Sequence, residues 1–432
     1  MSATANPNAA AETFVKENGA RVSRHIFSSR ELYEMEIPRI FGKCWLLLGH
    51  ESQLPTPGSY FTTYMGEDPV LVTRSADGKL HAHINACSHR GAKVALDDCG
   101  VTKGFTCPYH AWTYGLDGRL LGVAKHEMLY KSSPVEKGKF GLEPVAQLDT
   151  YRGLIFATFD PDAPRLLDYL GGIVPFLDTV FNRRASGIEI VGQPQKWRLP
   201  TNWKIYQDNF SGDEYHVSST HGSAIEAIGL DWDAYLQGLV HCYVEEGHGL
   251  SAHFEQPSGR ADPYTPLEQP EILSPATREY FYAALQEAKE RLSPVHSRCQ
   301  FVAGTVFPNL SLLPVFNTFR ICHPKGPGVT ELWAYCYVDR EAPEAVKREL
   351  VHWYNSANGP AGLIEQDDSA VWESIAVTAQ GGRGRTLYSH YNMGLGDERW
   401  HEGLRCTITS RLSEAAMRNF YRRWARAMGE AL

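Results

Sequence analysis

The sequence predicts an α+β chain in which a small antiparallel β domain precedes a larger domain built on a helix-covered antiparallel sheet. Three observations carry this. From Cys44 to about Phe159, short alternating or apolar runs are broken by the turn pairs Pro57-Gly58, Asp77-Gly78, Asp117-Gly118 and Arg152-Gly153, the punctuation of short antiparallel strands. Beyond Pro161-Asp-Ala-Pro164, strand and helix patterns follow one another without βαβ alternation, which argues against a doubly wound parallel sheet. Residues 87–110, finally, gather two Cys and two His at two loop tips inside the β region. The expected organisation is an N-terminal segment and helix over 1–43 packing on the larger domain, a metal-binding β domain over 44–160 and the larger domain itself over 161–432.

Composition sets the frame. A chain of 432 residues is long for one core, and 43% hydrophobic with 21% charged residues supplies apolar material for two. The net charge of −8, with no basic stripe interleaved with aromatics, argues against a nucleic-acid partner. No apolar run reaches the ~18 residues of a membrane span, and the first residues have no basic stretch leading into an apolar core, so neither membrane insertion nor secretion is expected. Nine cysteines without framework spacing fit a reducing cytoplasm.

In order, the Ala/Asn-rich first dozen residues are expected to be mobile. Ser28-Ser-Arg-Glu31 reads as a capping box, with Leu32, Met35 and Ile40 at near-helical spacing and Pro38 kinking or ending the helix. His81 to Asn85 leads into the first metal loop and Trp112 to Tyr114 leaves the second; His81 and His83, alternating on one strand, read as ordinary strand residues. Further on, 165–182 is helical in pattern and 188–199 a strand. Runs at 239–254, 299–321 and 332–338 read as strands. Helices are expected from Pro275, behind a Ser274 N-cap, to Leu292, and over 343–354, 362–379 and 414–428.

The metal loops read Cys87-x-His89 and Cys107-x-x-His110, seventeen residues apart. Zinc would accept two thiolates and two imidazoles, but mixed zinc sites usually draw two Cys from one knuckle and two His from another. One of each per tip suits a [2Fe–2S] cluster with both sulfurs on one iron and both histidines on the other, the Rieske arrangement. Gly91 permits a tight turn, and Pro108 fixes φ ahead of Tyr109 and His110. With these residues the segment closely resembles the Rieske loops of non-haem iron ring-hydroxylating oxygenases. The departure is Ala111, where most of that family has Gly; a local backbone adjustment without loss of the cluster is expected.

A second concentration of chemistry lies in NWKIYQDNFSGDEYHVSSTH, residues 202–221. Non-haem Fe(II) sites that activate O₂ take two His and one carboxylate on one face. His216 and His221 supply the pair, but their spacing sets them about 140° apart on a regular helix, so the helix must bulge or break, with Ser218-Ser219-Thr220 a plausible place. The carboxylate is sought in 362–379. Ile364, Asp368, Val371 and Ile375 form a stripe that is apolar except for Asp368, and a lone carboxylate on a buried stripe needs a metal or a partner. Asp367 points away. The family pattern also makes the second acid of such a pair the ligand.

The resemblance covers the chain from about Ile26 through Phe307-Pro308-Asn309 to Trp424, and is to the large (α) subunit of aromatic ring-hydroxylating dioxygenases. It implies a terminal oxygenase that passes electrons from a Rieske cluster to a mononuclear Fe(II) and adds O₂ to an arene as a cis-dihydrodiol. It also implies an α₃ or α₃β₃ assembly with a small β subunit. Asp213 would be the catalytic bridge between His216 and His110 of a neighbouring α subunit. Asn209 and Phe210, with Asn358 in place of a bulky apolar residue, would lie at the substrate pocket, the polarity of Asn358 hinting at a polar substituent. Asn358 reads equally as a helix-terminal residue before Gly359-Pro360. No dinucleotide fingerprint follows a strand, so NADH would act through a separate reductase, commonly with a ferredoxin. The alternatives are a Rieske monooxygenase, hydroxylase or demethylase, and a non-catalytic electron-transfer protein.

Overall fold

The computed structural model describes residues 14–229, 231–236, 238–254, 273–410 and 412–429. The Ala/Asn-rich start, expected to be mobile, lies outside them. The chain divides into two compact units, Phe41–Leu166 and, from both sides of it, Met1–Ile40 with Leu167–Leu432. The sequence reading sets these borders at 43/44 and 160/161.

The inner unit, Phe41–Leu166, is antiparallel throughout. One sheet runs in the order Leu80–Ile84, Asp68–Arg74, Ser59–Met65, Cys99–Val101; two three-stranded sheets are built on Thr113–Tyr114 and on Leu154–Thr158. Asp77-Gly78, Asp117-Gly118 and Arg152-Gly153 fall where paired strands reverse, and Pro57-Gly58 leads into Ser59–Met65. At the reversal into Leu154–Thr158, Arg152 and Gly153 have φ of 51° and 85°, the left-handed pair of a tight hairpin. The core of this unit packs Tyr60, Leu71, Phe105, Trp112 and Tyr114 around Cys87 and Cys107.

The larger unit is organised by a ten-stranded antiparallel sheet. Its centre is the buried run Thr330–Asp339, Thr318–Pro324, Leu310–Leu313, Gln300–Val306, Gly249–His253 and Leu239–Tyr243. The predicted single strand over 188–199 is two, Ile188–Ile190 and Gln195–Leu199, both paired with Thr330–Asp339; Gly192, at φ 72°, and Pro194 break it. The predicted helix over 165–182 is likewise divided by Gly171-Gly172 into Leu166–Leu170 and Val174–Phe181 with a 3₁₀ turn between.

Helices cover the sheet at Pro275–Arg291, Glu344–Ala357, Glu365–Gln380 and Ala415–Met428. The first is capped by Ser274, whose hydroxyl accepts from the Thr277 N–H. The N-terminal helix runs Arg30–Glu36 and is capped by Ser29, accepting from the Leu32 N–H. The cap is therefore one residue later than the Ser28 capping box predicts. Where Pro38 removes a donor the helix continues as a π turn, Ile37–Phe41.

Glu36 at the end of this helix is fully buried and accepts from Trp203 Nε1 (2.7 Å), Lys204 Nζ (2.5 Å) and Trp424 Nε1 (2.7 Å). It thereby ties the N-terminal and C-terminal helices to Trp203–Phe210, the helix that carries the site. A buried ion pair with its remaining lone pairs satisfied is tolerated, whereas removing one partner typically costs about 3–5 kcal/mol.

Candidate active site

The site helix Trp203–Phe210 starts at Asn202, whose side chain accepts from the Lys204 N–H. Gln207 pins it to the sheet, accepting from Ser311 Oγ at 2.7 Å and donating to the Pro308 carbonyl at 2.8 Å. The helix ends at Phe210, and the chain turns at Gly212 (φ 104°), where a Cβ would come within 3.1 Å of the Leu250 backbone. Only glycine combines that φ with so close an approach to strand Gly249–His253. His216 then opens a single helical turn, Val217–Thr220, and His221 closes it. The helix thus breaks over 211–216, not at Ser218–Thr220, which is itself the turn between the histidines.

Helix Glu365–Gln380 brings Asp368 to this pair. His216 Nε2, His221 Nε2 and Asp368 Oδ1 form a triangle with three edges of 3.3 Å. That is the spacing of donors sharing one first-row metal ion at about 2.1 Å, with the three on one face. The electrostatics agree. Burial disfavours the imidazolium of His216, yet hydrogen bonding to Asp213 and Asp368 pushes its pKa up to about 11. Burial would raise Asp368, but His216 and His221 hold it down at about 2. Two carboxylates thus make a place that favours a positive charge, and the donor set fits a mononuclear iron.

The stripe argument reached Asp368 by a face the helix does not bury. Val371 and Ile375 are 43% and 37% exposed; the buried face is Glu365, Asp368, Trp372, Ala376 and Ala379. Asp367 does not point away from the site: its Oδ2 lies 3.7 Å from His221 Nδ1. Asp213 Oδ2 lies 3.6 Å from His216 Nδ1, and Asn209 Nδ2 at 3.4 Å from the same nitrogen. Glu214, its carboxyl raised by burial, accepts from Ser251 Oγ at 2.6 Å.

Beside the triad opens a cavity of about 150 Å³. Asn209 and Phe210 line it, with Trp232, Val302, Leu313, Phe316 and Ile364 among its apolar walls. Asn358 does not: it is buried at the C-terminal end of helix Glu344–Ala357, where its Oδ1 accepts from Arg320 Nη2 at 2.5 Å and its Nδ2 donates to the Tyr354 carbonyl at 3.2 Å. The sequence reading missed Arg320 and Glu365, which do line the cavity and pair at 2.7 Å. Burial pushes the Glu365 carboxyl up to about 7 against the pull of Arg320. The available signal was an arginine inside the alternating strand TFRICHP, which a buried sheet does not accept without a counter-charge.

In the inner unit, the loop tips are held as hairpin turns. The Cys87 N–H donates to the Ala92 carbonyl, and the Cys107 N–H to that of Trp112, both at 2.8 Å. Both cysteines are buried. The rings of His89 and His110 meet at 4.6 Å, and His89 stacks on Trp112 at 4.9 Å and 5°. His89 Nδ1 is buried without a hydrogen-bond partner, as a metal-ligating nitrogen would be, so the four residues fit the cluster. Tyr114 Oη lies 3.1 Å from both Cys87 Sγ and the Ser88 nitrogen. The Ser88 N–H donates to this oxygen, leaving the phenol proton for the sulfur. Ala111 has a left-handed φ of 55°. An alanine at that φ carries strain that a glycine would not.

A fold with a Rieske-like β unit and a two-His, one-carboxylate triad in a helix-covered sheet defines a Rieske non-haem iron oxygenase. Residues 187–430 match the model of the ring hydroxylating alpha subunit (catalytic domain), and residues 44–133 that of the Rieske [2Fe-2S] domain. The chain is 37% identical to the biphenyl 2,3-dioxygenase subunit alpha of Rhodococcus jostii, over 96% of this chain and 90% of that one. It is 34% identical to the benzene 1,2-dioxygenase subunit alpha of Pseudomonas putida, covering 96% and 93%. The crystal structure of naphthalene 1,2-dioxygenase from Rhodococcus sp. bound to indole superposes with a TM-score of 0.84 at 34% identity, over 94% of each chain.

This chain belongs to the ring-hydroxylating dioxygenase α-subunit family. It is an oxidoreductase that incorporates O₂, with a Rieske [2Fe–2S] cluster and a mononuclear iron as cofactors. The expectations of fold class and cofactors are met, and the zinc and pure electron-transfer alternatives fall with the match to the two domains. Among the described residues no helix is long and apolar enough to cross a membrane.

Proposed function

We propose that this chain adds both atoms of O₂ to an aromatic ring, giving a cis-dihydrodiol, at an iron held by His216, His221 and Asp368. Cys87, His89, Cys107 and His110 hold the cluster that feeds it. The observation that carries the reading is the 3.3 Å triangle opening onto a largely apolar cavity, which joins a metal site with free positions to a place for a ring.

When bound, the iron supplies O₂ binding and activation. The protein supplies the rest. Val302, Leu313, Phe316 and Ile364 exclude water and hold the arene against the triad face. The Asp213 carboxylate, beside Nδ1 of His216, keeps the proton on that nitrogen, so the lone pair of Nε2 faces the metal; Asp367 stands in the same relation to His221. Trp112 fixes the His89 ring by stacking, and Tyr114 donates to Cys87. These contacts set the orientation and potential of the cluster.

Electrons come from outside. NADH is oxidised on a separate reductase and its electrons are relayed, commonly by a ferredoxin, in the cytoplasm. In the assembly, α₃ or α₃β₃, Asp213 reaches His110 of a neighbouring α subunit, so that one chain's cluster serves the next chain's iron. The resemblance supports this bridge, as do a partly exposed Asp213 and an exposed Tyr109 beside His110. Metal analysis tests the reading: a red-brown protein with three irons per chain is expected, and Cys107→Ser should abolish the cluster's electron paramagnetic resonance signal. One iron per chain in fully loaded protein, or zinc in place of the cluster, would overturn it.

A further inference from the structure

A second cavity, of about 350 Å³, also reaches the metal triad. It shares Asn209, Asp213, His216 and Asp368 with the walls of the substrate cavity. Asp208, near the end of helix Trp203–Phe210, is partly exposed where it borders this second space. The phenols of Tyr391 and Tyr421 both donate to its Oδ2, at 2.5 and 2.8 Å, and lie 3.2 Å from each other. Oδ1 has no hydrogen-bond partner among the described residues and is not closed off by the fold.

Adding both atoms of O₂ to an arene consumes two electrons and two protons: two C–O bonds form, the O–O bond breaks, and each oxygen ends as a hydroxyl. The electrons come through the cluster, but the protons have to be brought in separately. On the arene side, Val302, Leu313, Phe316 and Ile364 exclude water. Glu365 touches that side but is paired with Arg320, and its Oε1 is sealed in the fold. Asp208 has what a proton donor needs. Burial, with the nearby carboxylates of Asp213 and Glu414, holds its pKa up at about 7 against the two phenol hydrogen bonds, so near neutrality it both holds and releases a proton. The other charged or titratable groups around this cavity are Arg24, His216, Asp368 and His390.

We propose that Asp208 relays the protons consumed at the triad, taking them from solvent and passing them on through water in the second cavity. This rests on the reading of the site as an arene dioxygenase and adds a residue to its mechanism. Tyr391 and Tyr421 are positioning residues: by engaging Oδ2 they leave Oδ1 for the water. Each proton ends on an oxygen of the diol, and Asp208 is reprotonated from the cavity before the next transfer.

Infrared titration of the anaerobic, iron-loaded enzyme reads Asp208 without turnover. A carboxylic-acid carbonyl band that disappears with a midpoint near pH 7 is expected in the wild type and not in Asp208→Asn. The second measurement is single turnover of pre-reduced enzyme with O₂ and whichever of toluene, p-cresol and p-toluate is converted fastest. Product formation should slow as pH rises through about 7, because the relay needs the protonated acid. Asp208→Asn should keep its metals, form product about tenfold or more slowly at pH 7 and lose that inflection, and Asp208→Glu should restore both. A merely structural carboxylate would leave the inflection in place. Should Asp208→Asn not fold, Tyr391→Phe removes one of the hydrogen bonds that favour the ionised acid and should move both midpoints upward; unmoved midpoints overturn the proposal. No titrating band, or a wild-type rate and pH profile in Asp208→Asn, would overturn it too and leave the dioxygenase reading standing. If wild-type enzyme with both metal sites filled gives no oxygenated product from any of the three probes, that reading falls and the relay with it.

Discussion

Replacing Asp368 by Ala isolates one corner of the metal triangle. Its Oδ1 is 3.3 Å from both histidine nitrogens, and the residue is 5% exposed, so neither water nor a neighbouring carboxylate on the same buried face readily takes its place. Asp367, one residue earlier, has a side chain 39% exposed and lies 3.7 Å from the far nitrogen of His221. Groups that orient a ligand without touching the metal are worth about 10–100-fold in metal affinity, so losing the ligand itself should cost at least ~100-fold, about 2.7 kcal/mol or more. The expected order is therefore Asp368→Ala far below Asp367→Ala, which is at or below wild type. The assay is anaerobic loading with limiting Fe(II), followed by metal counting and by spectroscopy of the reduced cluster. The cluster signal should be unchanged in both variants, since its ligands belong to the other compact unit. Retention of the third iron in Asp368→Ala, or its loss in Asp367→Ala alone, would refute the assignment.

Three further outcomes are expected. Asp213→Asn should keep both metal sites filled and a reducible cluster while nearly abolishing electron transfer to the iron; cluster reoxidation at the wild-type rate in a single turnover with substrate and O₂ would contradict the bridge. Ala111→Gly should stabilise the inner unit by about 0.5–1 kcal/mol, because a non-glycine residue at positive φ costs about 1–2 kcal/mol and glycine returns part of that as chain entropy. Thermal denaturation followed at the cluster absorption reads this, and a lower midpoint would show that Ala111 is not strained. Tyr114→Phe removes the phenol donor to Cys87 and should lower the cluster potential by about 40 mV, the equivalent of a ~1 kcal/mol hydrogen bond for one electron; an unchanged or higher potential would contradict the donor role.

The two metal sites were legible because their chemistry is written in residue type and short spacing. Cys87, His89, Cys107 and His110 lie on two loops whose turns are coded locally by Gly91 and Pro108. The His216 and His221 spacing told that a helix must break, but not where. Gly212 decides that through the backbone of Leu250, a contact some forty residues away that no local pattern carries. Asp368 was reached through a stripe the fold exposes, because Trp372 and Ala376, not Val371 and Ile375, turn inward once the helix meets Trp203–Phe210. The pocket was the least legible part. Asn358 was placed by analogy with an apolar position, whereas the structure turns it toward Arg320. The Arg320–Glu365 pair joins residues 45 apart whose meaning appears only when strand and helix are brought together.

The most direct test of the central claim is turnover of the purified, fully iron-loaded oxygenase under ¹⁸O₂, with reductase, ferredoxin and NADH, using whichever of toluene, p-cresol and p-toluate binds tightest. Mass spectrometry of the product should show a cis-dihydrodiol in which both new oxygens carry the label and come from one O₂ molecule. A product with a single labelled oxygen would make the chain a monooxygenase, and no oxygenated product from protein with both metal sites filled would contradict the account of the site.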